Sequence, residues 1–418
     1  MIRVSRSLGA ALGLLLAGLP ATDALRAADR SAAASTGVSL PRLARIAEFV
    51  DRQMASGEVA GAVTLVARHG KIVHLQAQGY ADLASKRPMQ KDNLFRIASM
   101  TKPVVAVSIL MLVEEGKIRL DDPVSRFIPA FRDVTVAVPR VVPAGSPPGT
   151  PAYYTVPADR PITVLDLLTH TGGLVSGPIS IAAAAKVMDR HRAEGVKALE
   201  DLAAVPLEFQ PGTRWQYSGL AGFELLARIV EIASKQRFGE FMQQRICTPL
   251  GMKDTTFWPT EAQRARLATL YVLGDKGITP NPDPDRLNTP MLDSGGGGLI
   301  TSIESYARFA MMLANGGELD GVRLLSPASV RIMGSRVISD TLPGRQPGEG
   351  YGLGVRTITD SAARHTLIGT GSFGWSGAYG THFWVDPARQ LVAILFVQTP
   401  SQQRAADFET AVMQAVLD

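Results

Sequence analysis

The 418 residues are 46% hydrophobic and 19% charged, with a net charge of +5. This composition excludes a disordered chain and supplies the apolar content for a large core in about two or three units. Lys and Arg are scattered, with no basic block interleaved with aromatics, so nucleic acid is not expected as a partner.

The chain opens with Arg3 and Arg6, an apolar run from Leu8 to Leu19, and small residues around Ala24 and Ala28. This is the layout of a secretory signal peptide over residues 1–28, too short for a comfortable membrane span. A periplasmic or secreted protein is expected, with no stable membrane anchor after cleavage. Residues 40–54 carry apolar positions at helical spacing. GAVTLVARHGKIVHLQAQG reads as a hairpin turning at His69-Gly70. FRIASMTKPVVAVSILMLVEEG (95–116) reads as a buried helix, and Asp121 to Ala158 as a long Pro- and Gly-rich irregular excursion. ITVLDLLTH reads as a helix capped by Thr163, with Asp166 in the capping-box position. Helices are expected near 181–203, 219–235 and 238–246. Cys247, the single cysteine, excludes an intramolecular disulfide and reads as a small buried hydrophobe. A further helix starts at Ser302 and stops at Gly316, and another starts within SPASVRIM. YGLGVRTI, AYGTHFWVDP and RQLVAILFVQ read as strands, and 403–417 as a closing helix. Strand-like segments at both ends of the chain enclose a helical middle. That order predicts a sheet domain over 36–115 and 290–418, an inserted helical domain over 116–289, and an active site between them.

Within the buried helix, Lys102 follows Ser99 by three residues. Pro103 lacks an N–H and is tolerated only in a first turn, which fixes the helix start near Ser99. Residues i and i+3 share a face, so the hydroxyl and amine can meet. The positive end of the helix dipole and the apolar neighbours Val104, Val105 and Ile109 disfavour a charged amine. A neutral Lys102 can take the Ser99 proton and make a nucleophile without histidine. Tyr217 stands before a helical run, where it can relay protons or simply pack.

SMTK, LLTHTGGL (167–174), PGTRWQYSG (211–219), SGGGGLITSIESYARFAMMLANGGELDG (294–321) and GWSGAYGTHFWVDP (374–387) occur in that order. Together they resemble the penicillin-recognising serine hydrolases, and within them the class C β-lactamase-like carboxylesterases of family VIII. The resemblance implies an α+β, β-lactamase/transpeptidase-like fold, an antiparallel sheet flanked by helices. It implies Ser99 as the acylated nucleophile, Lys102 as its base, and Tyr217 as the group that protonates the leaving alcohol and activates water. Trp375, Ser376 and Gly377 stand where the β-lactamases carry K-T-G and would contact substrate. The backbone N–H groups of Ser99 and Ala378 would form the oxyanion hole. Gly219 replaces the Asn of Y-x-N, and Trp375 replaces the Lys that could bind a lactam carboxylate. Both departures favour an uncharged ester of small to medium acyl size. The alternatives are a β-lactamase or D-alanyl peptidase, an acyltransferase, or a non-catalytic protein that binds cell-wall fragments.

Other motifs carry less. GWSGA approaches the G-x-S-x-G elbow, but a strand follows rather than a helix, so Ser376 is expected to line the pocket. GGGGL lacks a following G-K-[ST], and its glycines are expected to let backbone pack against the catalytic helix. His170 is expected to bond backbone near the site. No metal spacing is present and no cofactor is implied.

Overall fold

The computed structural model describes residues 36–418 except 148–151, 276, 289–291, 339–340 and 402, and leaves out the side chains of 196 and 197. The export segment expected over 1–28 lies outside the described residues. Helix α1 (Leu40–Ala55) buries Leu43, Ile46, Phe49 and Val50 on one face, as its helical periodicity predicts. The hairpin follows as β1 (Gly61–Arg68) and β2 (Lys71–Asp82). His69 and Gly70 both take positive φ, +49° and +72°, the backbone handedness that a tight two-residue hairpin turn requires. A two-residue strand β3 (Arg87–Pro88) closes this edge.

The remaining strands of the sheet come from the other end of the chain: β4 (Glu349–Tyr351), β5 (Arg356–Ile358), β6 (Phe373–Ser376), β7 (His382–Asp386) and β8 (Leu391–Phe396). The spatial order is β4-β5-β6-β7-β8-β1-β2-β3, and every pairing is antiparallel. The seam that joins the two ends of the chain is β8 against β1, with Val63 opposite Phe396. Both faces of the sheet are covered. One carries Val66, Trp384 and Leu395 against α1 and the C-terminal helix, with Phe49 and Phe408 rings 6.3 Å apart. The other carries Val63, Leu65, Phe383 and Phe396 against the large core shared with the internal helices. This is the α+β architecture that the motifs imply: an antiparallel sheet built from both ends of the chain, flanked by helices.

The internal helices are α2 (Lys102–Glu114), α3 (Val164–Thr169), α4 (Pro178–Glu194), α5 (Ala221–Ser234) and α6 (Ile303–Ala314), and the C-terminal one is α7 (Gln403–Met413). From Lys102 to Leu112 every residue of α2 is buried, as befits a helix apolar on all sides. Thr163 and Asp166 form the expected reciprocal capping box on α3, and Ser302 caps α6 through the Ser305 N–H.

Three segments differ from expectation. Phe95 lies on a short strand (Leu94–Arg96) paired with Ile300–Ser302, and a 3-10 turn (Ala98–Thr101) precedes α2. The segment is therefore strand, tight turn and helix rather than one helix. The excursion after Asp121 contains a β-ribbon, Thr135–Pro139 against Tyr153–Pro157, because its β-branched and aromatic residues fit a ladder despite the flanking prolines. The helix expected over 181–203 starts at Pro178 and ends at Glu194, with a 3-10 stretch from Gly195 to Ala204; proline at the first helical positions and glycine after the last explain both limits. Among the described residues no helix is long and apolar enough to cross a membrane.

Candidate active site

The 3-10 turn that carries Ser99 is held from several directions. Ala98 takes φ +44°, an uncommon conformation for a residue with a Cβ and one that persists only where surroundings enforce it. Here they do. Ile97 N–H donates to Leu299 O (3.0 Å), Thr101 Oγ1 donates to Ala98 O (2.7 Å), and Leu299 N–H donates to Thr101 Oγ1 (3.1 Å). The Tyr306 hydroxyl, from α6, donates to Met100 O at 2.9 Å. The loop opposite is glycine where it packs on the start of α5: a Cβ on Gly295 would lie 2.6 Å from Phe223 O, and one on Gly296 2.9 Å from Leu220 Cα.

Lys102 is fully buried. Its Nζ lies 3.2 Å from Ser99 Oγ and donates to Gly219 O and Gly296 O, each at 2.7 Å. A neutral amine has two N–H bonds and one lone pair. In that form the two carbonyls take both N–H bonds and leave the lone pair toward Ser99 Oγ; in the protonated form the third N–H points at that oxygen and the charge acts on Tyr217. The Tyr217 hydroxyl reaches the same oxygen at 2.8 Å. Burial opposes ionisation of this phenol, but the Lys102 charge and the Ser99 hydrogen bond outweigh it and hold the Tyr217 pKa below the ordinary value. Tyr217, 118 residues after Ser99, thus joins Lys102 on one hydroxyl oxygen.

Tyr217 is fixed by an aromatic wall. The His170 ring centroid is 4.6 Å away and that of Trp375 5.4 Å away. Tyr351 stands behind both, 5.3 Å from each. Trp215 completes the wall against Tyr351, with the Arg345 guanidinium stacked on it at 4.7 Å. His170 accepts a 3.3 Å hydrogen bond from Ser218 N–H at Nδ1, so it bonds backbone beside the site as expected. Burial, then the charges of Lys102 and Arg345, push its pKa well below normal and keep the ring neutral.

The residues expected to contact substrate separate by strand alternation. Trp375 sits opposite Phe383 on the face toward Tyr217. Ser376, expected to line the pocket, turns its hydroxyl to the opposite face, 2.8 Å from His382 Nδ1, because neighbouring strand residues point to opposite sides. Gly377 is wedged where a Cβ would lie 2.2 Å from Ile97 O. Its N–H donates to Thr381 O at 2.7 Å, and Thr381 Oγ1 donates to Ile97 O at 3.2 Å. These contacts fasten the end of β6, with exposed Ala378 next in sequence, to the residue two before Ser99. Gly219 contributes a main-chain carbonyl to Lys102 where the resemblance suggested only a missing amide. That acceptor and Gly296 O were not foreseen: main-chain carbonyls leave no mark on residue type. Cys247 is buried, and its thiol pKa is pushed up to about 12 by burial. Among the described residues no group of three or more His, Cys, Asp or Glu side chains is placed to hold a metal.

Comparison with known proteins gives the family. The Beta-lactamase family profile matches residues 46–417. Protein Rv1367c of Mycobacterium tuberculosis is 36% identical over 360 residues, 82% of this chain and 86% of that protein. Esterase EstB of Burkholderia gladioli is 33% identical over 401 residues, 89% of this chain and 94% of its own. Among solved structures, EstCE1, described as a hydrolase with promiscuous acyltransferase activity, aligns with a TM-score of 0.74 at 24% identity. It covers 90% of this chain and 99% of its own. The chain belongs to the β-lactamase family of serine hydrolases.

Proposed function

We propose that the protein is a carboxylesterase that acts through an acyl-enzyme on Ser99. The observation that carries this reading is the meeting of Lys102 Nζ and Tyr217 Oη on Ser99 Oγ, at 3.2 and 2.8 Å. Neutral Lys102 takes the Ser99 proton while Oγ bonds to the ester carbonyl carbon, and the carbonyl electrons move onto its oxygen. The backbone N–H groups of Ser99 and Ala378 receive that oxyanion. Collapse of the intermediate breaks the bond to the alcohol, which leaves with a proton passed through Tyr217. Water repeats the sequence on the acyl-enzyme, with Lys102 and Tyr217 again managing the proton, and frees the acid.

An uncharged ester of small to medium acyl size suits the wall better than an anionic lactam. Position 375 offers an indole in place of an ammonium, and position 219 has no side chain to grip an amide. The relative named an esterase supports the same choice. Acyl transfer to an alcohol other than water follows from the same intermediate, and the EstCE1 description favours keeping it as a second reaction. A periplasmic or secreted location is part of this proposal, resting on the N-terminal segment alone.

The test is intact mass after brief incubation with a nitrophenyl ester, beside turnover of that ester and of a chromogenic cephalosporin. A mass increase of one acyl group that maps to Ser99, with ester turnover well above lactam turnover, is expected. Faster lactam turnover would overturn the ester assignment. Unmodified Ser99, or activity that survives Ser99→Ala, would overturn the mechanism. Added alcohols that yield transesterified product would establish the second reaction.

A further inference from the structure

Gly296 O is one of the two carbonyls that hold Lys102, and the peptide on the other side of that residue is itself held. Gly296 N–H donates to Glu224 Oε1 at 3.2 Å, and Ser294 Oγ donates to the same oxygen at 2.5 Å. Glu224 lies in the first turn of α5 and is buried. Its other oxygen faces His191 Nε2, from α4, at 3.5 Å, with both side chains no more than 2% exposed. No Lys or Arg pairs with this carboxylate among the described residues. A lone buried carboxylate is costly, so this one calls for an explanation.

The histidine supplies part of it. His191 Nδ1 lies 2.9 Å from Gly195 O. A carbonyl only accepts, so Nδ1 bears a hydrogen. In a neutral ring Nε2 would then be a lone pair facing a carboxylate oxygen. The contact is favourable only if one proton is shared between Nε2 and Oε2. Oε1 is taken by two donors, so Oε2 is the oxygen left to face Nε2. Burial opposes a charged ring, but Glu224 outweighs it and raises the His191 pKa. Arg192, beside it on α4, pulls the other way, and Lys102 on α2 stands across the Gly296 peptide.

We propose that Glu224 is a positioning residue for the catalytic lysine, and that His191 holds Glu224 in place. The chain of contacts runs from His191 through Glu224 and the Gly296 peptide to Lys102 Nζ. It sets where the amine points without touching substrate. This inference rests on the proposed role of Lys102. Gly295 and Gly296 let this loop lie against the start of α5, where Glu224 holds it.

The test separates geometry from folding. Glu224→Ala removes the acceptor of Gly296 N–H, and kcat on a nitrophenyl ester should fall roughly tenfold to a hundredfold, the scale of a small misplacement, with KM within about twofold. Glu224→Gln keeps an oxygen for Ser294 and Gly296, and its NH2 can donate to a neutral His191 Nε2. It should restore kcat to within about twofold of the parent. If Glu224→Ala retains parental kcat, or loses only KM, the proposal fails. If Glu224→Ala does not fold, the Gln variant decides alone, since a loss above about tenfold in a folded Gln protein also overturns it. Ser99→Ala and Lys102→Ala serve as controls. Should either remain active, the catalytic reading itself is wrong; should both be dead while Glu224→Ala is unaffected, only the positioning role is lost.

Discussion

The helical side of the cleft and the sheet side each end in a buried imidazole–carboxylate pair, and the two are built differently. On the helical side, His191 offers Nδ1 to a carbonyl, so its Nε2 suits Glu224 only when the ring is charged. On the sheet side, His382 offers Nδ1 to the Ser376 hydroxyl at 2.8 Å. A hydroxyl can donate, which lets a neutral ring keep its hydrogen on Nε2, 3.0 Å from Glu409. Glu409 also has the Arg356 guanidinium at 2.7 Å. The same two residue types thus meet different partners: a carbonyl fixes a hydrogen on His191 Nδ1, whereas the Ser376 hydroxyl can accept from His382 Nδ1 or donate to it. The difference lies in a single acceptor, carbonyl against hydroxyl.

The sides should also differ in what they do to turnover. The largest effect belongs to the helical side. Lys102→Ala should lower kcat by about 10²–10⁴-fold, the scale of a lost general base, and leave the Gly219 and Gly296 carbonyls without a donor. Steady-state kinetics on a nitrophenyl ester check it, and a loss under tenfold would undo the contrast. On the sheet side, Trp375→Ala should act on binding. Loss of the indole against Tyr217 and Tyr351 should raise KM by roughly threefold to tenfold, from the ~0.5–1.5 kcal/mol of such aromatic contacts, with a smaller change in kcat. A kcat collapse at constant KM would instead give Trp375 a part in the chemistry.

Acid pH probes the sheet-side pair by stability. Burial opposes ionisation of Glu409, but His382 and then Arg356 lower its pKa to about 2, from an ordinary value of 4.5. A carboxylate depressed in the folded state stabilises above its unfolded pKa, and that stabilisation is lost as pH falls through the folded value. The advantage of wild type over Glu409→Gln should therefore shrink by roughly 3 kcal/mol between pH 4.5 and about 2. Urea unfolding at several acid pH values reads it, and a constant difference would remove Glu409 from the comparison.

How much of this was legible in the sequence follows the same division. Ser99, Lys102 and Tyr217 are marked by side-chain type in short motifs, and the structure brings all three to one oxygen. The strands at both ends are marked by β-rich runs and by turn residues such as Asp386-Pro387. A motif does not say which face of a strand Ser376 takes; the register with His382 does. The β-ribbon in the Pro-rich stretch was hidden because pairing between 135–139 and 153–157 spans an irregular loop. Gly219 and Gly296 act through main-chain carbonyls, and Glu224 and His191 meet across separate helices, so no local spacing announces them.

The smallest effect is the one that tests the proton-dependent pair directly. His191 has a raised pKa, so its contribution to stability is complete below the unfolded value near 6.5 and is lost as pH rises through the folded one. The advantage of wild type over His191→Gln should narrow from neutral to alkaline pH, because deprotonation leaves Glu224 facing a lone pair. Urea unfolding of the two proteins at pH 6 and pH 9 makes the comparison. If the difference between them is the same at the two pH values, the carbonyl at Gly195 does not fix the His191 proton as its geometry requires.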